Sequence, residues 1–174
     1  MTALDARRND VVVRAGESSC EAGLVILATN AYTPLLVPAV EIEPKRAQML
    51  ATAPVATTVS ELPIYSHFGY RYWRQLKTHE VLIGGWRDTD QDAEVGYAEE
   101  TTRPIQEHLE RTAERLGAGG DITHRWAGIM GFTESGLPLT GPVAGMPNVL
   151  LCAGFNGHGL GFAFVTAGKV AEGV

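Results

Sequence analysis

The apolar positions of this chain fall into short runs separated by Gly, Pro and polar residues, a pattern that predicts mostly strands. Residues 11–14 (VVVR) and 24–28 (LVILA) are two such runs, and the linker AGESSCEAG between them suits a hairpin or a loop between strands. LVILA is apolar on both faces, so it calls for cover on both sides, as in the middle of an α/β sheet. Little in the first 22 residues could supply that cover. Residues 43–55 (EPKRAQMLATAPV) read as a strand with mixed faces. Residues 62–75 (LPIYSHFGYRYWRQ) and 80–86 (EVLIGGW) read as two strands joined by LKTH in an antiparallel hairpin. Tyr65, Phe68, Tyr70, Tyr72, Trp73 and Trp86 crowd this pair. A sheet with one aromatic face buries that face or lines a pocket with it.

The spacing of Ile105, Leu109, Ala113 and Leu116 predicts a helix over 101–116. Thr101 or Thr102 can cap it, Pro104 suits its first turn, and Gly117 ends it. Glu107, Glu110, Arg111, Glu114 and Arg115 form its solvated face, so this helix reads as scaffold. Residues 121–143 begin as a strand and become a Gly/Pro-rich loop, and 148–154 (NVLLCAG) is a strand. Residues 158–170 form an apolar helix in which Gly159, Gly161, Ala163, Ala167 and Gly168 permit close backbone approach. The sum is an α+β fold: a mixed, largely antiparallel sheet with packed helices.

Composition narrows the classes. With 45% apolar residues in 174, the chain can bury a core. A net charge of −6 argues against a nucleic-acid surface. No run approaches the roughly 18 apolar residues of a membrane span, and the first ten residues lack the apolar middle of a secretory signal. Cys20 and Cys152 lie far apart without a C-x-x-C pair, which suggests two buried, reduced thiols in a cytoplasmic protein. His79, His108 and His124 have no partners at metal-ligand spacing, so no metal site is expected.

The segment AGFNGHGLGFAF (153–164) holds the candidate chemistry. A buried strand, a glycine-rich turn and a helix start present unpaired N–H groups and a partial positive charge, a site for an anion or the polar edge of a ring. Glycines let the backbone approach a flat ligand closely. The alternative is a tight strand–helix turn packed against another helix. No Gly-Lys-Ser/Thr phosphate loop is present, and no G-x-G-x-x-G run follows an early strand.

Five segments in order, VILATNAYTP, PKRAQMLATAP, YRYWRQLKTHEVLIGGW, RWAGIMGFTESGLPLTGPV and NVLLCAGFNGHGLGFAF, decide between these readings. They resemble the C-terminal half of the FAD-dependent amine and amino-acid oxidoreductases, the family of D-amino-acid oxidase, glycine and sarcosine oxidases and gamma-glutamylputrescine oxidase. The resemblance runs from about residue 11 to the end, and its last two segments are the most specific. It implies that Gly154, Phe155, Asn156, Gly157, His158, Gly159 and Leu160 lie against the pyrimidine edge of the flavin. There their N–H groups and the helix dipole would stabilise negative charge at N1 and O2. Thr29 and Asn30 match a segment where the backbone passes close to the cofactor. Gly128, and Leu137 in the loop TESGLPLTG, match a stretch near the flavin ring.

Arg46 and Gln48 alternate on one strand face and match another stretch near the flavin; without the resemblance that face would be solvent-facing. His67, Tyr72 and Arg74 are the substrate-binding candidates of the aromatic hairpin, whose alternative role is an ordinary exposed face. Alternation would put Tyr70, Tyr72 and Arg74 on one face and Trp73 and Gln75 on the other. His158 could face substrate, hydrogen-bond the flavin edge, or cap the helix. Some relatives carry a lysine just after the glycine turn; Gly161 stands there in this chain, which leaves oxidase against dehydrogenase open. Trp126 is expected to pack in the core, and Cys152, inside an apolar strand, is not expected to carry a flavin.

Family members are longer and begin with a strand, a G-x-G-x-x-G turn and a helix that hold the ADP part of FAD. The sequence therefore resembles a fragment with three parts. Residues 1–42 would be the last portion of a flavin-binding domain, 43–125 the substrate-binding sheet and helix, and 126–174 the flavin-contacting loop, strand and helix. The activity implied is oxidation of a small amine or amino acid: hydride passes from the carbon next to nitrogen to flavin N5, and the imine hydrolyses. No catalytic base is identifiable. The chain alone is expected to be inactive and to hold FAD weakly or not at all. The other reading is a non-catalytic split domain that self-associates, as a two-fold dimer, or pairs with a partner supplying the dinucleotide-binding half.

Overall fold

The computed structural model describes residues 2–173. In chain order the strands are β1 (Ala3–Ala6), β2 (Val11–Ala15), β3 (Ser18–Ala22), β4 (Val25–Leu27), β5 (Glu43–Thr52), β6 (Ile64–Ser66), β7 (Arg71–Gln75), β8 (Val81–Gly85), β9 (Ile122–Phe132), β10 (Leu139–Val143) and β11 (Met146–Ala153). The helices are α1 (Arg103–Arg115) and α2 (Gly159–Glu172), and single 3-10 turns cover Asn30–Leu35, His67–Gly69 and Arg87–Thr89. The fold is α+β: β4 pairs with β11 in parallel, and the pairs β1–β2, β2–β3, β5–β8, β6–β7, β7–β8 and β10–β11 are antiparallel. The chain divides into two compact units, Met1–Lys45 with Met130–Val174, and Arg46–Ile129.

In the first unit, β1, β2 and β3 form an antiparallel meander, and a second sheet has the order β10-β11-β4. The linker after residue 14 is thus itself a strand. Ala15 pairs with Ser18 across a two-residue turn that Gly16, at φ +60°, makes possible. The core gathers Val11, Leu27, Val37, Ile42, Val149 and Ala153. Only one face of LVILA is covered: Val25 and Leu27 are buried, while Ile26 is 48% exposed. Helix α2 buries Thr166 and Val170, the latter against Leu150 and Cys152. Its apolar Leu160, Phe164 and Val165 are 102%, 89% and 59% exposed.

In the second unit one sheet runs in the order β6-β7-β8-β5-β9, with α1 against β8. Ile105, Leu109 and Ala113 of α1 close over Leu50, Val81 and Ile83 to make the core. Truncating the fully buried Leu109 to alanine should cost about 2–5 kcal/mol. The helix starts after Thr102 and stops at Gly117 (φ +72°), where the N–H of Ala118 returns to the carbonyl of Ala113 at 2.8 Å. Thr102 is the N-cap by backbone conformation, but its hydroxyl accepts from Gln48 Nε2 (2.8 Å) and does not bond the helix.

Three expectations need correction here. Residues 62–75 are two strands, not one. The left-handed His67 and Phe68 (φ 52° and 54°) followed by Gly69 fold the chain back, so β6 pairs with β7 as β7 pairs with β8. Cys20 is exposed on β3, because that strand presents nearly all of its residues to solvent. Trp126, on β9, is 39% exposed and is no core residue.

Candidate functional site

The glycine-rich segment forms a turn held from beneath by two asparagines. Strand β11 ends at Ala153, and Gly154 (φ +76°), Asn156 (φ +55°) and Gly157 (φ +77°) then bend the backbone through left-handed conformations into α2. Asn30, itself at φ 45°, accepts the N–H of Gly154 (2.9 Å) and of Phe155 (3.3 Å) on its side-chain Oδ1. Asn156 is 9% exposed. Its Oδ1 accepts the N–H of Thr133 at 2.9 Å, its Nδ2 donates to the carbonyl of Gly154 at 2.7 Å, and its backbone N–H donates to Gly131 O at 2.9 Å. Gly131 has to be glycine, since a Cβ there would sit 2.8 Å from Asn30 Oδ1 and from Ile42 Cγ2. At Gly154 a Cβ would come 2.5 Å from Thr133 Cγ2.

His158 is the N-cap residue of α2, yet its side chain makes no capping bond. Its Nδ1 lies 2.8 Å from the Asn156 carbonyl, and because a carbonyl can only accept, the proton sits on Nδ1. The N–H groups of Gly161 and Phe162 already donate to His158 O (3.0 and 3.1 Å). Those of Gly159 and Leu160 come before the first intrahelical bonds and are donors open to a ligand. Beside this helix start lies an open hollow of about 440 Å³ lined by Gly157, His158, Leu160, Gly161 and Phe162. A Cβ at Gly161 would meet nothing within 4 Å.

The structure thus brings Asn30 and Gly154 through Leu160 into one site. Nearby, Thr29 Oγ1 shares a 2.9 Å hydrogen bond with Thr33 Oγ1. Leu137, 59% exposed, accepts on its carbonyl from Thr133 Oγ1 (2.9 Å). Thr133, the residue that Asn156 grips, was missed as a site residue; the signal for it is an Asn-Gly pair whose amide needs a partner.

Other candidates sit in the second unit. Gly128 lies on β9 with open space at its Cβ position. Arg46 and Gln48 are 6% and 0% exposed, so their strand face is not solvent-facing. Glu94, 2% exposed, takes Arg46 Nε at 3.1 Å, Arg46 Nη2 at 2.7 Å and Gln48 Nε2 at 2.9 Å. The hydrogen bond and charge of Glu94 raise the pKa of Arg46 against the effect of burial. Gln48 also accepts the N–H of Thr102 (2.8 Å), which ties β5 to the start of α1.

The aromatic hairpin has two different faces. Trp73 pairs with Ile83 on the α1 side, so Tyr72 and Arg74 point the other way. Tyr72 lies flat on Gly84, where a Cβ would be 2.2 Å from its ring, and Tyr65, its cross-strand partner, lies on Gly69 in the same manner. Burial raises the pKa of Tyr72, and the charge of Arg87 opposes this. Arg74 and His67 are exposed, and His67 Nδ1 is 3.2 Å from Ser66 Oγ. Among the described residues no group of three or more His, Cys, Asp or Glu could hold a metal ion, and no helix is long and apolar enough to cross a membrane.

A family model described as "DAO: FAD dependent oxidoreductase" matches residues 1–173. The chain belongs to this family. Among solved structures, glycine oxidase from Geobacillus kaustophilus is similar with a TM-score of 0.80 and 16% identity over 98% of this chain. L-proline dehydrogenase from P. horikoshii follows with 0.78 and 21% over 98%, and Amadoriase I, a fructosyl amine:oxygen oxidoreductase from Aspergillus fumigatus, with 0.77 and 14% over 99%. Such identities show likeness of fold. The chain spans 46%, 47% and 44% of those three proteins. No curated protein sequence matches it.

An FAD dependent oxidoreductase must receive a flat ring with a polar edge, and the turn fits that group. Its N–H donors start a helix, Gly157 and Gly161 are among the residues lining the hollow, and no Cβ obstructs it at Gly161.

Proposed function

We propose that this chain supplies the substrate sheet and the flavin-edge turn of an FAD-dependent oxidoreductase acting on a small amine or amino acid. The observation that carries the reading is the turn from Gly154 to Leu160, fixed by Asn30 and Asn156, which leads into the start of α2 beside an open hollow. The family and the fold shared with glycine oxidase and L-proline dehydrogenase support it. When bound, FAD supplies a hydride acceptor for the carbon next to the substrate nitrogen. The N–H groups of Gly159 and Leu160, with the dipole of α2, stabilise negative charge on the ring edge. His158 holds its proton on Nδ1, against Asn156 O, and so keeps a fixed ring orientation at the mouth of the hollow. In the sheet, Tyr72 remains a phenol at neutral pH and can donate to a substrate carboxylate, with Arg74 on the same face as a cation. Residues 43–125 thus bind substrate and 126–174 hold the flavin edge, with 1–42 completing the flavin-binding part.

This chain alone holds FAD weakly and does not turn over, since its sequence has no G-x-G-x-x-G turn for the diphosphate. Its exposed Leu160, Phe164 and Val165 favour association, either with a second copy or with a chain carrying the dinucleotide-binding half. The test pairs two titrations. FAD fluorescence should be quenched weakly but saturably by the purified chain, and Gly161→Leu, which puts a side chain into the hollow at a position whose Cβ meets nothing within 4 Å, should abolish this. NMR titration with glycine, L-proline and iminodiacetate should shift resonances of β7 and β8 for at least one of them, and Tyr72→Phe should weaken that shift. No saturable quenching overturns the flavin-edge assignment. Amine-induced shifts absent or confined to other segments overturn the substrate assignment. Tight stoichiometric FAD overturns the weak-binding part, and a monomer by light scattering overturns self-association.

A further inference from the structure

The unit Arg46–Ile129 carries another hollow, of about 420 Å³, on the α1 side of its sheet. Trp73, Trp86 and Leu116 give it apolar walls, and Ser66, Arg71 and Arg115 give it polar ones. Its size falls within the range of small-molecule sites.

The charges of the two arginines are not in the same state. Arg71 forks onto Asp88 (2.5 and 3.1 Å) and lies 3.5 Å from the centre of the Trp86 ring, so its charge is matched. Arg115 is exposed; its contacts are the Thr112 hydroxyl at 3.3 Å and the Trp86 ring at 5.8 Å. Among the described residues no carboxylate reaches it within 4.0 Å. The hollow therefore combines apolar walls at Trp73 and Leu116 with one cation, Arg115, that has no carboxylate partner among the described residues. A cationic ligand is repelled there, a neutral one gains nothing from the charge of Arg115, and a polyphosphate carries more charge than one arginine can meet. An anion on a planar apolar body suits both features.

Backbone strain marks the same place. Six non-glycine residues among those described have positive φ, and two of them, His67 (52°) and Trp86 (67°), line this hollow. A tryptophan in the left-handed region is rare. Trp86 is held there by the stack on His108 (4.4 Å between ring centres), by its Nε1–H to Thr112 Oγ1 (3.1 Å) and by Arg71. Strain of this kind persists where the surroundings over-determine it, and it gathers at ligand sites.

We propose that this hollow is a binding site for a small aromatic carboxylate, with the ring against Trp73 and Leu116 and the carboxylate on Arg115. The site stands independently of the flavin reading. The test uses phenylacetate as the probe, followed by tryptophan fluorescence and ligand-observed NMR on the purified chain. Saturable binding is expected. Phenylacetamide, of the same shape without the charge, should bind about 5–10-fold more weakly, and Arg115→Gln should weaken phenylacetate by the same factor. Arg115→Lys should recover most of the affinity, and Tyr72→Phe, on the opposite face of the sheet, should leave it unchanged. The proposal is overturned by no saturable binding, by equal affinity for acid and amide, by an Arg115→Gln chain that binds normally, or by sensitivity to Tyr72→Phe. The last result would move the ligand to the other face and leave the flavin titration with Gly161→Leu unaffected.

Discussion

Replacing Glu94 with alanine removes the acceptor shared by four hydrogen bonds, two from Arg46 and two from Gln48. The three side chains are 2%, 6% and 0% exposed, so water cannot readily take the place of the carboxylate. Stripping one partner from a buried ion pair costs about 3–5 kcal/mol, because the other charge stays buried and unmatched. Two contacts soften the loss. Arg46 Nη2 keeps the carbonyl of Ala93 at 2.9 Å, and Gln48 keeps the hydroxyl of Thr102 at 2.8 Å. The lower half of the range is therefore expected, about 3–4 kcal/mol. Glu94→Gln retains one acceptor oxygen and the shape, and should cost about 2 kcal/mol. Urea unfolding followed by tryptophan fluorescence reads the right unit, since Trp73, Trp86 and Trp126 all lie within Arg46–Ile129. As a contrast, Glu107→Ala removes an exposed pairing with Arg103 and should leave the midpoint where it was. A Glu94→Ala chain destabilised by less than about 1 kcal/mol would refute the claim that this carboxylate holds β5 to the loop before α1.

Asn156→Ala should loosen the glycine turn, since it orphans the Thr133 N–H and places alanine at φ 55°; amide exchange across residues 153–160 should rise, and unchanged protection would count against the clamp. A thiol reagent at neutral pH should label the exposed Cys20 in the native chain and reach Cys152 only in denaturant, because burial both shields that thiol and raises its pKa; rapid labelling of both would contradict the packing of β11.

Helix α1 was legible because its stripe, its first-turn proline and its terminal glycine agree with one another. The break inside 62–75 was not. Strand-forming aromatics continue through it, and two of the residues that make the turn are a histidine and a phenylalanine, which nothing in a sequence marks as left-handed. Strand β3 was hidden for the opposite reason: SSCEA faces solvent and is held by backbone pairing to β2, so it has no apolar alternation to read. Arg46 and Gln48 could be put on one face by their spacing, but their acceptor lies 48 and 46 residues away, beyond any local pattern. The glycine turn was the most readable part of the site, because only glycine and asparagine tolerate such a backbone cheaply and the segment is rich in both.

That the clamps of the turn are asparagines, not aspartates, follows from what the turn has to hold. Asn156 both accepts from Thr133 N and donates from Nδ2 to Gly154 O at 2.7 Å. A carboxylate could accept the first bond but could not make the second, and it would face a carbonyl oxygen instead. At Asn30 both contacts with the turn are accepting, so aspartate could satisfy the geometry. The difference there is charge. A carboxylate beside Gly154 and Phe155 would set its own field against negative charge arriving at the start of α2. Two neutral amides fix the backbone as firmly and leave the helix-start donors uncompensated. On the proposed flavin-edge reading, a turn fixed by neutral amides at a helix start is suited to stabilise charge that develops on a ring edge without reorganisation.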